Sequence, residues 1–135
     1  PTAIGDDLNG SIGTVPGTDS PGATKFNEIA KSNNFKAGPY TKESYDSAAL
    51  IMLAMQAANS TNSNDFKSKV MDVANAPGEK IFPGELAKGL KLLSEGKEID
   101  YVGASAVELI GGGESAGNFA EILIDNQKVT TVGYK

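Results

Sequence analysis

The stretch TKESYDSAALIMLAMQAA, residues 41–58, places the tightest limit on what this chain can fold into. It reads as a helix in which Thr41 is a suitable cap and Glu43 lies where the helix dipole favours negative charge. From Ala48 onward apolar residues fall on nearly every side, so the helix is expected to be buried between layers. It is too short to span a membrane. Its longest apolar run, Ala48 to Met55, has eight residues, against the roughly 20 that a bilayer requires. The helix therefore belongs to a core, and 135 residues suffice to bury one.

Composition narrows the function classes. Hydrophobic residues at 39% with 21% charged residues describe a globular chain. The formal charge of −5 and the scattered placement of the 12 basic residues argue against nucleic acid, whose phosphates need clustered Lys and Arg. The absence of Cys removes thiolate nucleophiles, disulfides and Cys-ligated metals. The absence of His removes the commonest general base and transition-metal ligand. The opening PTAIGDDLNG has neither Met nor a charged-then-apolar leader, which leads us to expect a chain cut from something longer.

Around the central helix the remaining elements follow in order. Residues 10–15, GSIGTV, read as a strand ending at Pro16. Ser20-Pro21 opens a helix with Phe26, Ile29 and Ala30 on one face, ended by Asn33-Asn34. After the polar loop NSTNSND, the spacing of Phe66, Val70 and Val73 predicts a third helix ending near Asn75. APGEKIFPGE reads as a connector. Pro83 then starts a fourth helix striped by Leu86, Leu90 and Leu93 and ended by Gly96. In IDYVGASA, residues 99–106, strand-forming side chains give way to Gly103, Ala104, Ser105 and Ala106. Either a backbone passes close by, or the chain is leaving one layer for another. The final stretch predicts a hairpin over 119–134 around Asp125-Asn126. The fold class is α/β: about four helices plus a small sheet made by strand 10–15 and the hairpin.

Few motifs carry chemistry. GGGESAGN, residues 111–118, lacks the Gly-Lys-Ser/Thr ending of a phosphate loop and reads as a flexible surface loop. Asp6-Asp7, or Glu114 with Glu121, read as solvated charge rather than an acid/base pair. No calcium loop and no nucleophile elbow appear. Asn9-Gly10-Ser11 and Asn59-Ser60-Thr61 match the glycosylation pattern as chance would. Glu43, Tyr45 and Asp46 at the start of the buried helix admit two readings. Free N–H groups there could meet a carboxylate ligand with Tyr45 covering its apolar part. Capping plus a core Tyr is the simpler account, and side-chain physics alone favours it.

Taken in order, SYDSAALIMLAMQAANS, then VMDVANAPGEKIFPGELAKGLKLLSEGKEIDYVGASAVEL, then the hairpin resemble a known family. They look like the C-terminal part of bacterial ABC-transporter substrate-binding proteins of the branched-chain amino acid (Leu/Ile/Val-binding, type I periplasmic binding protein) family. The Tyr-Asp-x-Ala-Ala helix start, the Pro-Gly-Glu helix start and the Asp-Tyr-x-Gly-Ala stretch carry the likeness, which runs over essentially the whole chain. The resemblance implies part of a two-lobed fold with ligand held in the cleft between lobes. On that template residues 1–16 end the second lobe and enter a hinge crossing, and 17–116 form the helical part of the first lobe. Residues 117–135 cross back as the last strands of the second lobe. Hinge positions would be Pro16, Gly103 and Gly117, with the small residues of IDYVGASA letting hinge segments pack side by side. Lys42, Glu43 and Tyr45 would be the cleft contact. Family members with lipophilic ligands usually carry an aromatic near position 42, and Lys departs from that pattern.

The implied function is solute capture: binding an amino acid or related small molecule and delivering it to an ABC permease in the membrane. No enzyme activity, cofactor or metal is implied. Localisation would be periplasmic, or extracellular on a lipid anchor in a Gram-positive source. The signal peptide and most ligand contacts would lie in a missing N-terminal part of the parent. That part, or self-association, would cover the apolar surface left open. A ligand-sensing regulatory module of the same fold is the alternative.

Overall fold

A computed structural model of the chain describes residues 2–135; Pro1, where the expected 1–16 segment begins, lies outside the described residues. The chain divides into two compact units. One takes the residues up to Asp19 together with Gly117–Lys135, and the other is Ser20–Ala116.

The unit built from the chain's ends is a three-stranded antiparallel sheet. Its strands β1 (Ile12–Pro16), β4 (Phe119–Asp125) and β5 (Lys128–Tyr134) lie in the order β1-β4-β5. The expected hairpin forms where alternation places it, with Asn126 (φ 47°) and Gln127 (φ 60°) in the left-handed turn that matches strand twist. The first strand starts two residues later than the expected 10–15 and ends one later. A 3-10 turn over Gly5–Leu8 precedes it, and Gly10 donates its N–H to the Ile124 carbonyl at 2.9 Å before regular pairing begins at Ile12↔Leu123. Pro16 is tolerated because β1 is an edge strand that ends there.

The unit Ser20–Ala116 is helical around a short parallel sheet. Helix α1 (Pro21–Ser32) starts where Ser20 Oγ accepts the Ala23 N–H at 3.2 Å, with Pro21 in the first turn. Helix α2 (Thr41–Ala58) ends on Asn59 in the left-handed region (φ 48°). The third helix expected over 66–75 is instead two segments, α3 (Ser63–Phe66) and α4 (Lys69–Ala74). Lys67 and Ser68 keep right-handed dihedrals across the break, so Phe66, Val70 and Val73 still face one core.

The connector expected at 76–85 contains a strand, β2 (Glu79–Ile81), paired in parallel with β3 (Ile99–Tyr101) through Glu79↔Ile99 and Ile81↔Tyr101. Helix α5 (Leu86–Ser94) begins three residues after Pro83. The Pro lies instead in a turn closed by the Glu85 N–H on the Phe82 carbonyl at 3.0 Å, while Glu85 Oε2 accepts the Phe82 N–H at 3.0 Å. The core gathers Leu53, Ala54, Val73, Ala74, Ile81, Ile99 and Tyr101. Helix α2 packs against α4 and α5 through Ala49, Leu50, Leu53 and Ala54. It is not covered all round, since Ile51 is 44% exposed and Met52 43%. Apolar residues on every side permitted burial on every side, but the packing covers only one.

Candidate functional site at the start of helix α2

The first turns of α2 are held by two kinds of contact. Locally, Tyr40 takes a left-handed conformation (φ 62°) and offers no side-chain cap. Thr41 Oγ1 accepts the Gly38 N–H at 2.9 Å and donates to the Gly38 carbonyl at 2.8 Å, closing the entering loop on itself. Further off, the Tyr45 ring stands edge-on to Phe26 with centroids 5.3 Å apart, and its hydroxyl accepts the Gly84 N–H at 3.2 Å.

One residue deeper, Asp46 is the buried charged residue of the core, at 2% exposure. Its Oδ1 accepts the Tyr101 hydroxyl at 2.9 Å and the Ala104 N–H at 2.8 Å. Its Oδ2 accepts the Ser105 N–H at 2.7 Å, the Ser105 hydroxyl at 2.6 Å and the Ala104 N–H again at 3.0 Å. A buried carboxylate is tolerable only with such partners, and successive amides make an anion-holding concavity. Burial first, and then the Asp46 charge, push the Tyr101 phenol well above its ordinary range, so it remains a donor.

This cluster accounts for the run of small residues after Tyr101. Gly103 has φ 61°, and a Cβ there would strike the Asp46 carboxylate and the Tyr101 ring. A Cβ on Gly22, in the first turn of α1, would collide with the Gly103 carbonyl oxygen. Ala104 is fully buried. Backbone and carboxylate approach so closely that larger side chains have no room. The small residues thus serve contacts inside Ser20–Ala116. The sequence placed Asp46 beside Glu43 and Tyr45 but did not pair it with this segment. The signal was there in two parts, an acid on a buried helix face and a run of small residues whose amides an acceptor can reach.

The structure places Lys42, Glu43 and Tyr45 on adjacent turns, all half-buried. Among the described residues neither the Lys42 nor the Glu43 side chain takes part in a hydrogen bond or ion pair. Tyr45 also lines an open, mainly apolar groove of about 600 Å³ between α1 and α2, with Phe26, Ile29, Phe35, Thr41 and Ser44. Lys42 and Glu43 do not line it. Pro16 closes β1 opposite Phe119, and Gly117 precedes β4, where a Cβ would strike the Phe119 ring, so both belong to the unit built from the chain's ends; Gly103 belongs to the other unit.

Elsewhere the chemistry is sparse. Gly111–Gly113 form one exposed turn fastened by the Ile110 N–H on the Glu114 carbonyl at 2.7 Å. Glu121 pairs with Lys135 at 2.9 Å. Among the described residues no acidic cluster could hold a metal ion, and no helix is long and apolar enough to cross a membrane.

No family model matches the chain. It is 28% identical over 97 residues to the chemotactic signal transduction system substrate-binding protein BasB of Halobacterium salinarum, a match covering 72% of this chain and 24% of that protein. The leucine-binding protein LivK of Thermotoga maritima superposes with a TM-score of 0.64 over 94% of this chain and 31% of that one, at 16% identity. The likeness shows the fold: part of an α/β periplasmic-binding-protein architecture. The chain spans about a quarter of the length of the curated relative it matches.

Proposed function

We propose that this chain is part of a two-lobed substrate-binding protein that captures an amino acid or related small molecule in the cleft between its lobes. The observation that carries this reading is the superposition on a leucine-binding protein over 94% of the chain, to which the similarity with a substrate-binding relative adds support. In this reading Lys42 and Glu43 supply charges of both signs to a zwitterionic ligand from a helix start, and Tyr45 covers the ligand's apolar part. Pro16 and Gly117 would lie along the segments that bend as the cleft closes, whereas Gly103, expected as a third hinge position, is packed inside Ser20–Ala116. Closure would exclude water around the polar groups of the ligand contact. Binding of this kind needs no nucleophile, in keeping with a chain lacking His and Cys.

Delivery to an ABC permease in the membrane is the first role proposed. Relay of the captured ligand to a chemotactic receptor is the second, favoured by the name of the halobacterial relative. Calorimetric titration of the two-lobed protein carrying this segment against the twenty amino acids tests the shared step. Saturable binding of at least one, weakened about tenfold by Lys42→Ala, is expected from the loss of one charge-assisted hydrogen bond. No binding at millimolar ligand would overturn the reading. Deletion of the gene then separates the roles, through lost uptake or through lost taxis with uptake intact.

A further inference from the structure

Asp46 is buried, takes five hydrogen-bond contacts, and has no part in the ligand contact drawn above. If stability alone were served, an apolar residue of similar size would do as well, because burying a carboxylate costs desolvation that its partners only offset. What the carboxylate adds is direction. Tyr101, Ala104 and Ser105 reach it from one continuous segment, and that segment is itself fixed by the Val102 and Gly103 N–H groups on the Ile81 carbonyl at 3.1 and 3.2 Å. Helix α2 has no side-chain cap at Tyr40, and the Gly38–Thr41 clasp is internal to the entering loop. The ties from its first turns to the body of the unit are therefore Tyr45 and Asp46.

We infer that Asp46 is a positioning residue for ligand binding: it fastens the start of α2, and with it Lys42, Glu43 and Tyr45, to the 101–105 segment. The inference rests on the proposed ligand contact at that helix start. It differs from a merely structural role in where its loss is felt. Removing a core residue loosens the whole unit, whereas removing this latch frees the first turns and leaves the rest of α2 packed.

Amide hydrogen exchange on the two-lobed protein carrying this segment tests the latch without any ligand. Asp46→Asn keeps the shape but turns an N–H₂ toward the Ser105 donors. Amides 44–47 should then exchange at least tenfold faster, with those of 50–57 changed less than threefold. Val73→Ala, in the same core but away from the latch, should speed both groups alike. Uniform acceleration by Asp46→Asn, or none, overturns the proposal. Should Asp46→Asn not fold, Ser105→Ala removes only the hydroxyl bond and is expected to show the same selectivity at smaller amplitude; its absence overturns the proposal equally. Calorimetry with the twenty amino acids on the two-lobed protein supplies the second arm. Asp46→Asn should weaken binding at least tenfold at a temperature where Val73→Ala does not. Selective exchange with unchanged affinity refutes positioning. Failure of the unsubstituted protein to bind any amino acid refutes the functional reading instead, and the proposal with it.

Discussion

At the scale of single residues, the contacts around Asp46 give the sharpest expectations. Gly103→Ala places a methyl group at a left-handed position already bounded by the Asp46 carboxylate and the Tyr101 ring. A loss of about 1–3 kcal/mol is expected from strain and overpacking, read as a lowered urea midpoint at constant slope. Tyr101→Phe removes one donor to a charged acceptor and should cost about 2 kcal/mol at neutral pH. The same phenol predicts behaviour in alkali. Burial and the Asp46 charge raise its pKa above the ordinary value of 10.0, so the folded chain keeps the proton longer than the unfolded chain does. Its contribution to stability is therefore complete below about pH 10 and declines as pH climbs above it. Urea midpoints measured at pH 9, 10 and 11 should fall more steeply for the unsubstituted chain than for Tyr101→Phe; parallel curves would count against this account.

At the scale of elements, α2 has two unlike faces despite its evenly apolar sequence. Leu53 is fully buried in the core shared with α4, α5 and β2, and a Cβ added at Gly89 would lie only 3.0 Å from its Cδ2. Leu53→Ala should cost about 2–5 kcal/mol, because the transfer term and the cavity add. Ile51→Ala and Met52→Ala, on the open face, should shift stability by no more than about 0.5 kcal/mol in the isolated chain. Equal losses at all three positions, measured by urea unfolding, would show that the open face is covered in solution. The short parallel pair β2–β3 is stable only because Ile81, Ile99 and Tyr101 are buried beneath helices.

At the scale of the whole molecule, the two units are unequal in cover. In the terminal sheet Ile12 is 84% exposed, Val132 59% and Val129 52%, while β1 and β5 are both edge strands. Open edges beside apolar side chains invite pairing with another chain. Sedimentation of the 135-residue chain at micromolar concentration should therefore show species larger than 13.9 kDa. Ile12→Lys with Val132→Lys should shift the distribution toward monomer, since charge on an edge opposes strand addition. A compact monomer without these changes would contradict the expectation.

What the sequence determined by itself was whatever neighbouring residues decide among themselves. The extent of α2, the Ser20-Pro21 opening of α1 and the 119–134 hairpin rest on residues within a few positions and were legible. Thr41, however, expected as the cap of α2, is its first helical residue, and the cap position falls to Tyr40 without a side-chain bond. Tertiary structure alone decided the rest. Strand β2 has three residues with one buried side chain, too few to show alternation, and it exists because β3 supplies a parallel partner about twenty residues downstream. The side of α2 left open at Ile51 and Met52 depends on where α4 and α5 pack, which an evenly apolar helix does not encode. The candidate site divides along the same line. Lys42, Glu43 and Tyr45 were legible as a helix start, whereas the Asp46 latch joins residues 55 to 59 positions apart. Hydrogen bonds between near neighbours follow from local propensity. A buried carboxylate finds its donors only after the chain has closed around it, because only then is water no longer the better partner.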